Sequence, residues 1–592
     1  MLRQRSAGDP DGLPAYLGGL SVTAQSALVL VGDTPAALDD LVKPLNRRLA
    51  RAGWSKRAGD PFIRVYTPTR SRLEVIPGLD GHGLLLGEVF DAGGRALSAR
   101  ERGVMGCGRL DAGRARSISS AYWGRYLLIR RVDGDVAVFR DPSGALECFV
   151  WRRNGVTLIS TGCSAVIDPF LPDDLDIDWQ ELAAIVRRPG EHRHSLPLTG
   201  LLPVAAGELR TWGPDASHGV QIWNPAEVYR RGREKSAPNL RAVVEMSVRS
   251  LAGEREWIAE VSGGLDSAIV AGSLTGDQRK NVGAWVNHFV DQPEGDERAY
   301  ARAVVAMHGD SLTEVHRAGL GLDARRLAMS AEGFRPAVND IDPDYNDDIA
   351  ARVERTGAWG SLTGQGGDAV FFQIPTPLVG MDELHERRFQ ARPEVLHCLS
   401  RWLRRSVWPT TFAQAWRDHL KDRSTWDHPW LDDLKGVPPA KAMQISILAF
   451  CQAFQAEAVR SRLGPCINPL LSQPVMEAGL AISTVDLTWG GRDRWAARMA
   501  FQDAIPHSIF DRRSKGELSA YYGEAVAGRL NFLRDYLLGG ALAEAGLIDP
   551  DLEARMTRDA ILWRGGHSEL LLLAVIEAWL RRWKERLGAR RL

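Results

Sequence analysis

Short apolar runs broken by turn residues dominate the first third of the chain. Residues 27–31, 83–87, 126–130, 136–139, 148–151 and 156–160 are such runs, and their length suits a strand with at least one buried face. Asp133-Gly134 and Asn154-Gly155 fall between consecutive runs and favour tight hairpins. A sandwich of antiparallel sheets with a few helices is expected up to about residue 225. Residues 223–238 are polar and carry proline and charge, which reads as a linker. From Asn239 onward the texture changes. Apolar runs at 257–261 and 281–286 alternate with helical patterns at 267–274 and 296–307. That alternation predicts a doubly wound parallel sheet. Beyond Pro375 the pattern is almost entirely helical. It ends in an apolar run at 570–576 that stops at Glu577 and continues as a helix to Arg581 and Arg582. Two domains are therefore expected, 1–225 and 226–592.

The turn after the run at 257–261 carries the first chemistry. Ser262-Gly263-Gly264-Leu265-Asp266-Ser267 leads from a strand into a helix. Glycines there let the backbone approach a phosphate, and unpaired N–H groups at the helix start point at it. Asp266 stands where a carboxylate holds magnesium against that phosphate. No Lys-Ser or Lys-Thr follows the glycines, so the loop is not a Walker A loop. The plain alternative is an ordinary glycine-rich turn of an α/β domain. A second glycine turn, Ser361-Leu-Thr-Gly364-Gln-Gly-Gly-Asp368, supplies another aspartate. Two carboxylates from separate loops, Asp266 and Asp368, suit magnesium, which takes a few carboxylates plus phosphate oxygens.

The Ser-Gly-Gly-Leu-Asp-Ser run resembles the pyrophosphate loop of the ATP pyrophosphatases, the group containing asparagine synthetase. Asp296-Glu297-Arg298-Ala-Tyr300-Ala301, the Gly364–Asp368 turn, Ile467-Asn-Pro-Leu-Leu-Ser-Gln-Pro-Val475-Met-Glu477 and Arg512-Arg-Ser-Lys515-Gly-Glu517 follow in the family's order. The resemblance implies ATP and magnesium, with cleavage to AMP and pyrophosphate. It implies nucleotide contacts at Val261, Ser262, Gly263, Gly264, Leu265, Asp266, Ser267, Gly364 and Lys515. Asp266 and Asp368 become the metal ligands, and Lys515 the cation beside the α-phosphate, with all three in catalytic roles. Gln365 stands where asparagine synthetases carry a glutamate, and glutamine cannot act as a base. The Pro469-Leu-Leu-Ser-Gln-Pro474 form looks like that of lasso-peptide cyclases. That subtype implies adenylation of an Asp or Glu side chain in a core peptide and attack by the peptide's N-terminal amine. A precursor peptide and a leader peptidase would be the partners.

Tyr122-Trp-Gly-Arg-Tyr126 and Phe139-Arg-Asp-Pro-Ser-Gly144 resemble elements of the family's Ntn-type glutaminase domain. Those glutaminases use a cysteine directly after the initiator methionine, whereas Leu2 stands here and Cys107 is the first cysteine. The expectation is a glutaminase-like scaffold without its nucleophile, so that the amine comes from free ammonia or from the substrate itself, the latter favoured by a high effective concentration. Rival readings are a β-lactam-type synthetase, an ammonia-dependent asparagine synthetase and a non-catalytic scaffold. The β-lactam-type relatives carry a tyrosine near Gln365, absent here.

Composition changes this picture little. Lys plus Arg and Asp plus Glu are 74 each, which gives no bulk attraction to nucleic acid or to an anionic membrane. The six cysteines form no close pair, so neither a zinc site nor a disulfide framework is expected, and a reducing cytoplasm fits. The first ten residues lack an apolar core, so no signal peptide is expected. The run at 570–576 is too short to span a bilayer. Between Trp402 and Trp430, five tryptophans alternate with Arg404, Arg405, Arg417 and Arg423. Amphipathic helices with buried indoles are the preferred reading over a peptide or nucleic-acid surface.

Overall fold

Among the described residues, twelve strands build the first domain in a computed structural model. The model describes residues 24–591 apart from 133, 192–193, 214–215, 234–237, 388–389, 405–412, 418–426 and 514. In chain order the strands are β1 (Leu28–Gly32), β2 (Trp54–Gly59), β3 (Ile63–Pro68), β4 (Val75–Pro77), β5 (Gly83–Asp91) and β6 (Tyr122–Val132). Then come β7 (Asp135–Arg140), β8 (Phe149–Arg153), β9 (Val156–Ser160), β10 (Leu202–Pro203), β11 (Glu208–Trp212) and β12 (Ser217–Gln221). They form two six-stranded sheets, ordered β10-β8-β9-β1-β3-β2 and β12-β11-β7-β6-β5-β4. Every pairing between them is antiparallel, as the alternating runs require. Val29, Val65 and Ile159 from one sheet meet Leu86, Leu127 and Val138 from the other in a shared core. Asn154, at φ 49, and Gly155, at φ 73, make the β8–β9 turn. The other expected hairpin signal includes Asp133, which lies outside the described residues.

The segment expected to be a linker contains a packed helix. Pro225–Gly232 begins at Asn224, whose side chain accepts from the Ala226 N–H at 2.8 Å. Its Val228 and Tyr229 are buried, and it packs on the helix Gln473–Ala481. Polar composition hid this element because its charges sit on one face only. Residues 234–237 of the segment lie outside the described residues.

The second domain is built on β13 (Trp257–Glu260), β14 (Val282–Phe289), β15 (Leu312–His316), β16 (Gly360–Leu362) and β17 (Cys466–Ile467). All pair in parallel, in the order β15-β14-β13-β16-β17. The helix Leu265–Ser273 shares a core with β13 on one face, through Ala259, Val261 and Ile269. The helix Pro343–Thr356 covers the other face, where Ile349 and Val353 meet Ile258 and Val286. The strand order reverses between β13 and β16, so a crevice opens at their carboxyl ends. The expected helices start later or earlier than their patterns suggest. The first is Leu265–Ser273 and the second Arg298–Ala306.

The C-terminal helix His567–Arg591 buries Trp579 and Trp583. It belongs to a core that also holds Leu28, Trp151 and Ile167 of the first domain. Arg586 Nη1 lies 3.1 Å from Cys163 Sγ and its guanidinium pairs with Asp168. No helix among the described residues is long and apolar enough to cross a membrane.

Candidate active site at the sheet switch point

Two loops leave the sheet side by side, one after β13 and one after β16. The first is Ser262-Gly263-Gly264. Gly263 has φ +88, and a Cβ there would meet the Glu297 carbonyl oxygen at 2.7 Å, so only glycine fits. Ser262 Oγ accepts from Gly264 N at 3.2 Å and lies 3.1 Å from Ser267 Oγ. Gly264 precedes the helix with no side-chain cap, which leaves the first-turn N–H groups available to an anion. The second loop runs from Thr363 to Asp368. A Cβ on Gly364 would stand 2.4 Å from Ser267 N, and one on Gly367 would stand 2.4 Å from Asp266 Cγ. Glycine at both places lets the loops touch.

That contact brings Asp266 and Asp368 together, and a residue not anticipated from the sequence joins them. Arg494 Nη1 donates to Asp266 Oδ2 at 2.8 Å and to Asp368 Oδ1 at 2.6 Å. Its side chain is 4% exposed, and Asp493 braces its Nε at 2.9 Å. Against the cost of burial, these carboxylates hold the guanidinium firmly protonated. Lys515 Nζ reaches the other oxygen of Asp368 at 2.5 Å. Burial pushes Asp266 up to about 7 against the pull of Arg494, and the Asp368 charge adds to the rise. Asp368 goes the other way. Burial opposes its ionisation, but Arg494 and Lys515 outweigh it and keep the carboxyl low. Asp266 Oδ1 is buried without a hydrogen-bond partner. An orphaned carboxylate oxygen beside a second carboxylate and open helix N–H groups fits a magnesium ion completed by phosphate oxygens. Among the described residues no cluster of three or more metal-ligating side chains occurs.

The Lys515 loop is pinned from beneath. Glu297 Oε1 accepts from Gly516 N at 2.7 Å and from Arg512 Nη2 at 2.6 Å. Arg512 lies over the Tyr300 ring, 4.0 Å from its centroid, and donates to the Gly263 carbonyl at 3.2 Å. The acidic, tyrosine-containing segment thus ties the third loop to the first.

These loops line a cavity of about 440 Å³. Val261, Ser262, Gly264, Asp266, Ser267, Gly364, Asp368 and Lys515 all border it. Gly263 does not, and the Leu265 side chain turns into the core, 2% exposed, so the expected contact at Leu265 is limited to its backbone. Ile447, Phe450, Cys451, Phe454 and Leu518 supply the apolar wall of the cavity. A polar end holds Glu260, His288, Arg317, Tyr345 and Gln365. There Tyr345 donates to Glu260, Arg460 Nη2 donates to Gln365 Oε1 at 3.2 Å, and His288 lies 2.9 Å from Asp348. Sequence reasoning missed Arg494, Arg460, Tyr345 and Glu260. Arg494 left one signal, the glycine pair Gly490-Gly491, at φ 71 and 68, which breaks an otherwise helical region.

The expected absence of an activated thiol in the first domain concerns Leu2, which lies outside the described residues. Cys148 and Cys163 are buried, and burial pushes each thiol up to about 12. Cys107 is half-buried and donates to the Gly103 carbonyl. Of the tryptophan-rich stretch, Trp430 is fully buried and Trp402 and Trp416 pack on the core, while Arg405 and Arg423 lie outside the described residues.

No curated protein matches the chain by sequence. Two solved structures are similar to it at 9% identity and a TM-score of 0.21. One is the glutamine phosphoribosylpyrophosphate (PRPP) amidotransferase from B. subtilis complexed with ADP and GMP; the match covers 40% of this chain and 60% of that one. The other is described as the allosteric regulatory enzyme of purine biosynthesis; the match covers 51% and 77%. The sequence profile described as asparagine synthase matches residues 239–581, more than half of the chain and the whole of the site above. The chain therefore belongs to the asparagine synthase family of ATP-dependent carbon–nitrogen ligases.

Proposed function

We propose that this protein is an ATP-dependent lasso-peptide cyclase. The carboxylate of an Asp or Glu side chain in a core peptide attacks the α-phosphorus of ATP. The bond to the β-phosphate oxygen breaks, and pyrophosphate leaves with it. The peptide's N-terminal amine then attacks the acyl carbon, AMP departs, and the amine loses one proton as the macrolactam forms. Holding amine and carboxylate in one bound molecule gives a high effective concentration.

The observation that carries this reading is the mixed lining of the cavity. Ser262, Gly264, Asp266, Ser267, Asp368 and Lys515 share its border with an apolar wall of Ile447, Phe450, Phe454 and Leu518. Free aspartate has no apolar surface to match that wall, whereas a peptide does. Gln365 cannot deprotonate ammonia, and it is occupied by Arg460. Lys515 opposes charge that grows at the α-phosphate. Asp266 and Asp368 would hold magnesium, which would screen the leaving phosphates. The tail must be threaded before closure, so the enzyme must hold a folded peptide at this cavity of about 440 Å³.

Incubation with ATP, magnesium and a leaderless core peptide tests the proposal. Equimolar AMP and pyrophosphate are expected, together with loss of one water from the peptide by mass spectrometry. Amidation of free aspartate with ammonia would favour an asparagine synthetase instead. Ring closure of a small β-amino acid would favour a β-lactam-type synthetase. No turnover of ATP with any of these substrates would favour a scaffold, freed of the partner peptide and the leader peptidase that a cyclase needs.

A further inference from the structure

Among the described residues, four carboxylates border the cavity: Glu260, Asp266, Glu297 and Asp368. Three of them are matched by cations. Asp266 pairs with Arg494, Glu297 with Arg512, and Asp368 with both Arg494 and Lys515. Glu260 makes no ion pair among the described residues. It closes β13 on the same strand face as Ile258, and so faces the helix Pro343–Thr356. Tyr345 of that helix donates to Glu260 Oε2, while Glu260 Oε1 is buried without a hydrogen-bond partner. The cations nearby are committed elsewhere. Arg317 pairs with Asp342, and His288 lies against Asp348. Arg460 donates to Gln365 at 3.2 Å and to the Tyr345 hydroxyl at 3.5 Å. A buried carboxylate oxygen left open costs free energy that an apolar residue at this strand end would avoid. The cavity therefore holds a ready acceptor for a cation that the protein itself does not supply.

We propose that Glu260 is the catalytic base of ring closure, receiving the ammonium of the peptide's N-terminus and taking the proton that must leave before the nitrogen attacks. The inference rests on the cyclase reading above. The ammonium gives one proton to the Glu260 carboxylate, which becomes a carboxylic acid. The freed lone pair forms the bond to the acyl carbon, and the bond from that carbon to the phosphate oxygen of AMP breaks. The second proton, lost as the amide forms, goes to water, and Glu260 returns its own to water afterwards. Gln365 cannot take the first proton, and the other groups facing Glu260 cannot either. Burial raises the Tyr345 phenol well above its ordinary value and pushes the Cys466 thiol up, so both stay protonated at neutral pH. Arg460 is already a cation. Tyr345 thus serves as the donor that holds the carboxylate in place.

Two substrates separate the steps: a leaderless core peptide, and the same peptide acetylated at its N-terminus, which can be adenylated but not closed. Peptide-dependent exchange of labelled pyrophosphate into ATP reads adenylation, and loss of one water by mass spectrometry reads closure. Glu260→Gln in the full-length protein should exchange with the acetylated peptide at the parent's rate, which also shows that the variant is folded. It should close the unmodified peptide at least about a hundredfold more slowly at pH 7, the contribution of a positioned base. Raising the pH to 9 frees the amine in solution and should narrow that deficit about tenfold. Unaltered closure in Glu260→Gln would overturn the inference, as would a deficit that is the same at both pH values. Loss of exchange in step with closure would also overturn it, by placing the carboxylate on the nucleotide. A parent that exchanges with neither peptide would instead sink the cyclase reading on which the inference rests.

Discussion

Arg494 is the residue on which the acidic centre turns. It sits between Asp266 and Asp368, nearly sealed from solvent, and it adopts φ 51, a conformation unusual for a bulky residue. Removing it leaves two neighbouring carboxylates with their main counter-charge gone. Arg494→Ala should lose about 3 kcal/mol of stability in denaturant unfolding, as when one partner of a buried pair is deleted. Magnesium should then raise the melting temperature of Arg494→Ala more than that of the parent, because the cation takes over the neutralising role. Equal shifts would show that the metal does not bind between these carboxylates. Lys515 behaves differently. It is 44% exposed and its pair with Asp368 is open to water, so stability should hardly change in Lys515→Ala. Turnover should fall about a hundredfold or more, because a cation aimed at the reacting phosphorus acts in the transition state.

At the scale of elements, the terminal helix depends on an acid that interrupts its apolar run. Glu577 is fully buried. Its carboxylate accepts from Ala541 N at 2.7 Å and Leu542 N at 2.8 Å, capping the start of the short helix Ala541–Glu544. Arg581 donates to the same carboxylate at 2.5 Å. Glu577→Ala should cost about 3 kcal/mol, measured by the denaturant midpoint, because two amides and a guanidinium lose their acceptor. Glu577→Gln keeps an acceptor oxygen and should cost less. The apolar pattern from 570 to 576 pointed to a buried helix, yet it said nothing of why an acid is buried at its end. The answer lies thirty-odd residues upstream, at a helix start that only the fold brings close.

At the scale of the molecule, a wedge from the second domain locks onto the first. Trp430 Nε1 donates to the Ala206 carbonyl at 3.0 Å, and its ring meets Trp223 edge-on with centroids 5.2 Å apart. Beside it, Ser195 N donates to Asp427 at 2.8 Å. His428 is buried in this wedge, and burial pushes its imidazole down to about 3. Arg140 and Arg335 add to that drop, while Asp427 opposes it. The folded state thus holds His428 neutral while the unfolded chain protonates it near its ordinary value. Stability from this group is fully present above about pH 6.5 and falls as the pH drops toward 3. At pH 5 the loss should be about 2 kcal/mol. His428→Gln should therefore show a flatter acid limb in unfolding experiments between pH 6.5 and 5 than the parent; parallel limbs would mean that another group carries the acid sensitivity.

The sequence by itself determined the local chemistry: which runs form strands, where glycine turns leave them, and which aspartates and lysine those turns carry. Each of those features depends on neighbours within a few residues, so a linear pattern reveals it. Only the tertiary structure decided that Gly364 and Ser267 touch, that Arg494 spans two carboxylates from distant loops, and that Arg460 occupies Gln365. Those pairings join segments 95 to 228 residues apart, and no periodicity encodes a partner at that distance. The same reason explains the helix at Pro225–Gly232, whose polar face resembled a linker until the surface buried beneath Tyr229 was visible.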